Sequence, residues 1–518
     1  MVMVAFSDIA GSGNKKLINL LRGWPNTTLL PTHLLERASH NALTNKAIAF
    51  PAMLYGPDPG DPRLRKNVAA WLTSFYQGPS PISPERITIT GGASQNLACL
   101  LQVFTDPVYT RNVWMVSPSY MLAFRIFDDS GFHKKLRAVP EDDEGIDIEF
   151  LRKEIKKSED KAIADGNDAP LLKPFRPWGK IYRHIIYAVP TFSNPSFKTM
   201  TMTRREELVR LAREYDALII TDDVYDFLQW PSSLTAQTLS LEKAVLPRIV
   251  DVDRFLDGGP ERTGADGFGN AASNGSFSKI FGPGLRTGWV EGTEKLAFGA
   301  SQTYGEKFIF SSCETWLLPP PLGRPLPYNV ELAYAPNRGW YHLTSLHRGS
   351  SRSGGAPSQL TATFVAETLE SGELQRYVFE TLQPAYAERY RKMVSAINKY
   401  LIPLGVRLPQ TDRDVVGGYF IWLTLPKPLK GFVVAQRAKD DENLIVAQGE
   451  IFEVPGDTEF AHFERDLRIC FAWEDIELLG EGVERLARVI RSLQNDQSEN
   501  NRSVQHGTGG QEGAKDFW

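Results

Sequence analysis

Cysteine and histidine are scarce in this chain of 518 residues, which contains three cysteines and eight histidines. The cysteines, Cys99, Cys313 and Cys470, are far apart and lack the spacing of a metal-binding motif. The histidines are dispersed and show no pair at the i, i+4 spacing of a helical zinc hydrolase. We therefore expect buried thiols in a reducing compartment, and no metal site.

Strong charge and long apolar runs are also absent. The formal net charge is −4, with no basic stretch suited to nucleic acid or to anionic lipid. No apolar run approaches the roughly 20 residues that a membrane helix needs. The N-terminus lacks the apolar core of a signal peptide and is poor in arginine. These absences predict a cytoplasmic protein that binds neither nucleic acid nor membranes and works through a pocket.

Strand-like runs alternate with helical periodicity along the body of the chain. Ile87–Thr90 is typical of a strand, and apolar residues then recur at helical spacing from Leu97 to Phe104. The unbroken apolar run 217–220 suits a strand buried on both faces, with Asp222 at its carboxyl end. The alternation predicts an α/β fold with a mostly parallel sheet. Near the C-terminus, an alternating strand around Arg468 precedes an amphipathic helix and indicates a smaller α+β domain.

Two stretches contain residue types suited to catalysis. After the first strand, Gly92, Ala93 and Ser94 bring backbone N–H groups to a helix start, where an anion would fit, although a tight turn explains them equally well. Lys279 stands among small hydroxyl residues, with Arg286 seven positions later. A lysine whose pKa is lowered can act as a nucleophile, and an arginine can bind a phosphate, but most lysines are solvated surface charges.

Four motifs together resemble the class I and II aminotransferases of the fold-type I pyridoxal-phosphate family, in the family's order and spacing. They are Asn194–Pro195, Asp222–Tyr225, Ser276–Lys279 with Arg286, and Arg468 between Leu467 and Ile469. The resemblance runs from about Leu17 to Leu493 and is greatest to fungal 2-aminoadipate, kynurenine and aromatic transaminases.

The resemblance implies a fold like that of aspartate aminotransferase, with a large domain whose mostly parallel sheet is flanked by helices and a smaller α+β domain. Residues 1–50 would contribute to the small domain, 51–384 would form the large cofactor-binding domain, and 385–493 the C-terminal small domain. Residues 494–518, rich in Asn, Gln, Ser and Gly, are predicted to be disordered. The family further implies a homodimer with shared active sites.

The resemblance also assigns roles around the cofactor, pyridoxal 5'-phosphate. Lys279 would bind it covalently and later transfer a proton, and Asp222 would pair with the pyridine nitrogen. Tyr225 and Asn194 would hydrogen-bond the phenolic oxygen, while Tyr120 would stack on the ring. The phosphate would be bound by Gly92, Ala93, Ser94, Ser276, Ser278, Arg286 and, from the neighbouring subunit, Tyr55.

For the substrates, an amino acid and a 2-oxo acid, the resemblance implies that Arg468 binds the α-carboxylate together with Asn194 and Gly23. Taken alone, an arginine on a half-buried strand is more often a salt-bridge residue. The N-terminal segment 18–25 resembles the pattern that borders the side-chain pocket in this group.

Two features depart from the family pattern. Phe197 stands where the Asn-Pro-Thr-Gly turn has glycine, and because a bulky residue rarely adopts positive φ, we expect a local change in the turn. Residues 304–348 separate two stretches that family members join directly, without convincing periodicity. We interpret them as an insertion, either a surface excursion or a translated retained intron.

The leading hypothesis is an aminotransferase that passes an amino group from 2-aminoadipate, an aromatic amino acid or a similar donor to a 2-oxo acid. A pyridoxal-phosphate lyase, or an enzyme like aminocyclopropane-carboxylate synthase, would use the same lysine, aspartate and arginine. A pseudoenzyme impaired by the insertion is the third alternative.

Overall fold

The structure is a computed structural model that describes residues 15–237, 240–303, 332–335, 339–342, 356–409, 413–457 and 460–495. Most of the predicted insertion 304–348 and of the predicted tail 494–518 therefore lies outside the described residues. None of the helices in these ranges combines the length and apolarity needed to cross a membrane.

The strands are short and spread along the whole described chain. They are β1 (Ile18–Asn19), β2 (Ile87–Thr90), β3 (Val113–Ser117), β4 (Leu136–Asp142), β5 (Gly145–Ile146), β6 (His184–Ala188), β7 (Ala217–Asp222), β8 (Gln229–Pro231), β9 (Ala271–Ser276), β10 (Gly288–Glu291), β11 (Leu332–Ala335), β12 (Gly339–His342), β13 (Val415–Gly417), β14 (Phe420–Thr424), β15 (Leu444–Ile445), β16 (Ala447–Gln448) and β17 (Asp466–Cys470).

The α-helices alternate with the strands in the first 300 residues and dominate the C-terminal part. They are α1 (Thr32–Thr44), α2 (Lys46–Ala52), α3 (Pro62–Tyr76), α4 (Ala93–Phe104), α5 (Met121–Phe127), α6 (Ile148–Ala164), α7 (Met202–Glu214), α8 (Ile249–Phe255), α9 (Glu294–Ser301), α10 (Gln359–Glu370), α11 (Glu373–Tyr377), α12 (Gln383–Tyr400), α13 (Gly431–Glu442) and α14 (Ile476–Asn495).

The main sheet has the strand order β2-β10-β9-β7-β6-β3-β4-β5. Strands β9, β7, β6, β3 and β4 run parallel, whereas β10 is antiparallel to both its neighbours and β5 is antiparallel to β4. Successive residues of β7 alternate between the apolar clusters on the two sheet faces, with Leu218 and Ile220 on one side and Ala217 and Ile219 on the other. The predicted doubly buried strand is confirmed, and Asp222 ends it.

A second, antiparallel sheet has the order β14-β17-β16, and α12 and α13 pack against α14 beside it. The N-terminal strand β1 pairs in parallel with β15, so the start of the described chain lies next to this C-terminal region. β8 and β13 pair antiparallel and connect the end of β7 to the chain before β14. This arrangement brings Gly23, Lys279 and Arg468, which are distant in sequence, to one place.

One expectation needs correction. Phe197 adopts φ 66°, so the turn keeps a left-handed conformation in spite of its bulky side chain. This conformation costs roughly 1–2 kcal/mol, but the ring is buried and stacks on Tyr390 with centroids 5.9 Å apart, which offsets the cost. Within the predicted insertion, Leu332–Ala335 and Gly339–His342 pair as antiparallel strands.

Candidate active site

Asp222 lies at the carboxyl end of β7, the edge where parallel sheets commonly bind ligands. Its side chain is buried, with 8% of its surface exposed. Tyr187 on the neighbouring strand donates a 3.2 Å hydrogen bond to Oδ2, whereas Oδ1 is buried and accepts none from the described residues. Burial, reinforced by the adjacent charge of Asp223, raises the pKa of Asp222 to about 7. A buried carboxylate oxygen without a donor is suited to a ligand that carries an N–H group.

Lys279 follows β9 and points its amine into the same region. Its Nζ donates a 2.8 Å hydrogen bond to the carbonyl oxygen of Gly23. The rings of Tyr225 and Tyr419 have their centroids 5.8 and 5.5 Å from this nitrogen. Burial lowers the pKa of Lys279 to about 8, although the nearby charge of Asp222 opposes the shift. About a tenth of the amine is therefore uncharged at neutral pH, and this is the form that acts as a nucleophile.

An anion cradle forms where β2 meets α4. Gly92 caps the helix with φ 107°, and a Cβ there would lie 3.4 Å from Nη2 of Arg286 and 3.7 Å from Oγ of Ser276. Ser276 Oγ donates to Ser278 Oγ over 2.9 Å and accepts from the Ser278 amide over 3.1 Å. Ala93 begins α4, so its backbone N–H and that of the next residue, Ser94, lie at the positive end of the helix dipole. Ser94 and Arg286 are exposed on the open side of this cradle.

Arg468 is fully buried in the middle of β17. Nη1 donates to Oδ1 of Asn194 over 2.8 Å, and Nη2 donates to the carbonyl of Leu21 over 2.7 Å. The guanidinium also lies over the ring of Phe420, 3.9 Å from its centroid. Burial lowers the pKa of Arg468 to about 10, and the group remains a cation at neutral pH. These contacts hold the planar fork in one orientation, which suits bidentate binding of a carboxylate.

Aromatic side chains line the space between these groups. Tyr225 is buried and packs edge-on against Tyr419 and Phe420, with centroids 5.4 and 6.1 Å apart. Burial raises the pKa of Tyr120, with a further contribution from Asp222, so its hydroxyl stays protonated at neutral pH. The structure thus brings together Tyr120, Tyr225, Asp222, Lys279 and Arg468.

Tyr55 differs from the other predicted residues. It lies between α2 and α3 with 82% of its side chain exposed. Phe50, Met53 and Leu54 beside it are more than 60% exposed as well. In a single chain Tyr55 contributes to a surface rather than to a pocket.

Three residues of the site escaped the sequence analysis. Tyr187 supplies the hydrogen bond to Asp222, Tyr419 donates a 3.0 Å hydrogen bond to the carbonyl of Lys279, and Phe420 packs beneath Arg468. A Cβ on Gly23 would lie 2.6 Å from Cζ of Phe420, so the close approach of that backbone requires glycine. Tyr187 carried a usable signal, because its strand precedes the strand of Asp222.

Comparisons with known proteins identify the family. A profile described as aminotransferase class I and II matches residues 26–486. The chain belongs to this family. Its members are fold-type I enzymes that depend on pyridoxal 5'-phosphate. This chain is therefore a pyridoxal-phosphate-dependent aminotransferase.

Two relatives align over most of their length. The uncharacterized protein YER152C of Saccharomyces cerevisiae is 30% identical over 92% of this aminotransferase and 97% of its own length. Aromatic-amino-acid aminotransferase 1 of Thermococcus litoralis is 24% identical over 92% and 88%, respectively. Among solved structures, the α-aminoadipate aminotransferase of Thermus thermophilus, complexed with N-(5'-phosphopyridoxyl)-L-leucine, has a TM-score of 0.64 at 24% identity, covering 92% of this chain and 93% of that one. The aspartate-aminotransferase-like fold expected from the sequence is confirmed.

Proposed function

We propose that this aminotransferase binds pyridoxal 5'-phosphate on Lys279 and transfers an amino group between an amino acid and a 2-oxo acid. The observation that carries the proposal is the pairing of a buried, donor-free oxygen of Asp222 with a buried amine whose pKa is about 8. The bound cofactor supplies an electron sink for negative charge that develops at the substrate α-carbon. Binding of the cofactor and the substrate, and transfer of the proton, would be carried out by residues of this chain.

The residues around Asp222 fit the pyridine end of the cofactor. Oδ1 of Asp222 would accept a hydrogen bond from the ring nitrogen, and the negative carboxylate would keep that nitrogen protonated. Tyr225 and Asn194 would hydrogen-bond the phenolic oxygen, and Tyr120 would stack on the ring face. Tyr187 donates to Oδ2 of Asp222 and would hold the carboxylate in that orientation.

The cradle at the start of α4 fits the phosphate. The backbone of Gly92, Ala93 and Ser94 would donate from the helix start, since anions bind there with little reorganisation. Ser276, Ser278 and Arg286 would add hydroxyl donors and a positive charge.

Tyr55 would reach the phosphate of a neighbouring subunit in a homodimer with shared sites. Its exposure, and that of the apolar residues beside it, supports this part of the proposal because a homodimer would cover them.

At the substrate end, Arg468 would bind the α-carboxylate through its planar fork, with Asn194 orienting the guanidinium. Lys279 would then move the proton between the substrate α-carbon and the cofactor, which suits an amine with a pKa near the working pH. Gly23 accepts from Lys279 Nζ and so positions the amine before the substrate enters.

We propose 2-aminoadipate, aromatic amino acids or close analogues as amino donors. The names of the Thermococcus and Thermus relatives support this class. We also propose a cytoplasmic location, which imaging of a fluorescent fusion would test.

The proposal is tested by incubating purified protein and cofactor with each donor and 2-oxoglutarate. Formation of glutamate, lost in Lys279→Ala, is the expected result. Release of ammonia and pyruvate from a suitable donor would instead identify a lyase. A protein that binds the cofactor but converts no amino acid would be a pseudoenzyme.

A further inference from the structure

A pair of buried tyrosine hydroxyls, those of Tyr419 and Tyr386, adjoins the main chain of Lys279. Tyr419 directly precedes β14 and Tyr386 lies on α12, and both side chains are fully buried. The hydroxyl of Tyr419 donates a 3.0 Å hydrogen bond to the carbonyl oxygen of Lys279. The hydroxyl oxygens of the two tyrosines are 3.1 Å apart, and their ring centroids are 4.9 Å apart. The pair therefore connects the peptide group of Lys279 to α12.

Only one arrangement of protons satisfies both contacts. A hydroxyl has a single proton, and a carbonyl oxygen can only accept. Tyr419 therefore donates its proton to Lys279 and accepts a hydrogen bond from the hydroxyl of Tyr386. Burial raises the pKa of Tyr386, and the backbone of Asn26 is among the groups that oppose this shift by hydrogen bonding to its hydroxyl oxygen. Each tyrosine thus donates once and accepts once, and hydrogen bonds that follow one another in this way strengthen each other.

The N-terminal segment reaches Lys279 at both of its ends. The carbonyl of Gly23 accepts the 2.8 Å hydrogen bond from the amine, and Asn26 contacts the tyrosine pair that holds the carbonyl. Nδ2 of Asn26 also donates over 2.7 Å to the carbonyl of Trp473, which fixes the segment to the C-terminal region. Because the main chain at Lys279 carries the side chain with the amine, a shift of its peptide group would move the amine as well.

The ring of Tyr419 makes separate contacts in the site. Its centroid lies 5.5 Å from Nζ of Lys279, and the ring packs edge-on against that of Tyr225 at 5.4 Å. A phenylalanine at this position would keep the ring contacts and lose only the hydroxyl. The role of the hydroxyl can therefore be measured apart from the packing of the ring.

We propose that Tyr419 and Tyr386 are positioning residues whose hydroxyls fix the peptide group of Lys279 and so hold its amine in place for proton transfer. The inference rests on the proposed function and adds to it two residues that act through Lys279. A small displacement of a catalytic group slows the step that the group carries out. Substrate affinity should depend little on the pair, because Arg468 binds the α-carboxylate.

The first test follows a single turnover of the cofactor-loaded enzyme with L-glutamate, observed through the visible absorbance of the cofactor. The first-order rate constant does not depend on the fraction of enzyme that is folded, so a loss of stability alone would not change it. In Tyr419→Phe we expect this constant to fall about 3- to 10-fold, the equivalent of one buried hydrogen bond. The half-saturating concentration of L-glutamate should stay within about twofold.

The second test needs no reaction. Visible circular dichroism of the bound cofactor, divided by its absorbance, reports whether the group attached to Lys279 has one fixed orientation. We expect the ratio to be lower in Tyr419→Phe than in wild type, because the peptide group that carries the lysine loses its hydrogen-bond donor.

A second variant tests whether the hydroxyls act as a pair. Tyr386→Phe leaves the donor to Lys279 but removes its own support, and it should lower the rate constant about 2- to 5-fold. Because Tyr386 acts through Tyr419, the double variant should be no slower than Tyr419→Phe alone. If Tyr419→Phe does not fold, the rate constant and dichroism of Tyr386→Phe decide the question in the same way.

Tyr182→Phe is the matched control. Tyr182 is fully buried before β6 and donates over 2.6 Å to the carbonyl of Gly269, at the sheet edge opposite to Asp222. This variant loses the same group from the same kind of hydrogen bond, and its rate constant and dichroism should equal those of wild type.

Wild-type values of both quantities in Tyr419→Phe would overturn the inference, and so would effects of the two substitutions that multiply in the double variant. In these cases wild type still reacts with L-glutamate, and only the inference fails. If L-glutamate, 2-aminoadipate and phenylalanine all leave the absorbance of wild type unchanged, the proposed function fails.

Discussion

Two adjacent aspartates at the end of β7 face opposite sides of the sheet and have different surroundings. Asp222 faces the site, receives one hydroxyl hydrogen bond, from Tyr187, and has Lys279 as its nearby cation. Asp223 faces the other side, where the hydroxyls of Thr221 and Ser273 donate to its Oδ2.

The wider surroundings of Asp223 extend this difference. The positive charge of Arg248 opposes the effect of burial on its pKa. Arg248 is itself bound to Asp251 and paired with Glu291 at 2.6 Å. In both aspartates Oδ1 is buried and accepts no hydrogen bond from the described residues, so the difference lies in the remaining groups. Two scaffold hydroxyls and Arg248 surround Asp223, whereas Asp222 faces Tyr187 and the amine of Lys279 in the site.

The largest effect is expected when the charge of Asp222, the aspartate that faces the site, is removed. Asp222→Asn should lower kcat for transamination by on the order of 10²–10³-fold, because a neutral amide does not keep the ring nitrogen protonated. At about pH 4, where the carboxyl of wild type is protonated in the native state, its free energy of unfolding should change by less than about 1 kcal/mol. Steady-state kinetics and urea denaturation measure the two quantities. A variant with wild-type kcat would contradict the assignment of Asp222.

Asp223→Asn should show the reverse pattern. The free energy of unfolding should fall by about 1–3 kcal/mol, because the buried hydroxyls and Arg248 lose a charged partner. The effect on kcat should be much smaller than that of Asp222→Asn, which serves as the matched control. Equal kinetic losses in both variants would show that the two carboxylates act as a unit.

The pH dependence of stability sharpens the comparison. In the cofactor-free protein the raised pKa of Asp222, about 7, means that the native state binds more protons than the unfolded chain between about pH 4 and 7. Stability from this protonation is present at low pH and is lost as the pH rises through 7. Asp222→Asn should therefore gain stability relative to wild type over that range, as measured by denaturation at each pH. A constant difference would refute the raised pKa.

The smallest effects come from removing one hydroxyl on each side. Tyr187→Phe removes the donor to Asp222, and we expect a decrease of a few-fold in kcat with little loss of stability. Thr221→Val removes a donor to Asp223 and should lower the free energy of unfolding by about 1 kcal/mol without affecting kcat. If the two variants exchanged these effects, the division between site and scaffold would be wrong.

Local patterns explain how much of the fold was predictable. β2, α4, β7 and α14 have periodicities that their burial confirms, and Asp222 followed directly from the end of an apolar run. The left-handed backbone at Phe197 was not predictable, because the ring that offsets its cost packs on Tyr390, almost two hundred residues away in the chain.

The residues of the candidate site that belong to family motifs were predicted from the sequence. Site residues outside those motifs were not predicted. Tyr419 contacts the carbonyl of Lys279, 140 residues away in the chain, and no local pattern encodes this contact. The predicted domain limits and the role of residues 304–348 stay predictions.

The most direct test of the central claim is to reduce the cofactor-loaded protein with borohydride and to map the modified lysine by mass spectrometry. We expect one phosphopyridoxyl group per chain, on the peptide that contains Lys279, and none in Lys279→Ala. A label on another lysine, or its persistence in the variant, would contradict the assignment of Lys279.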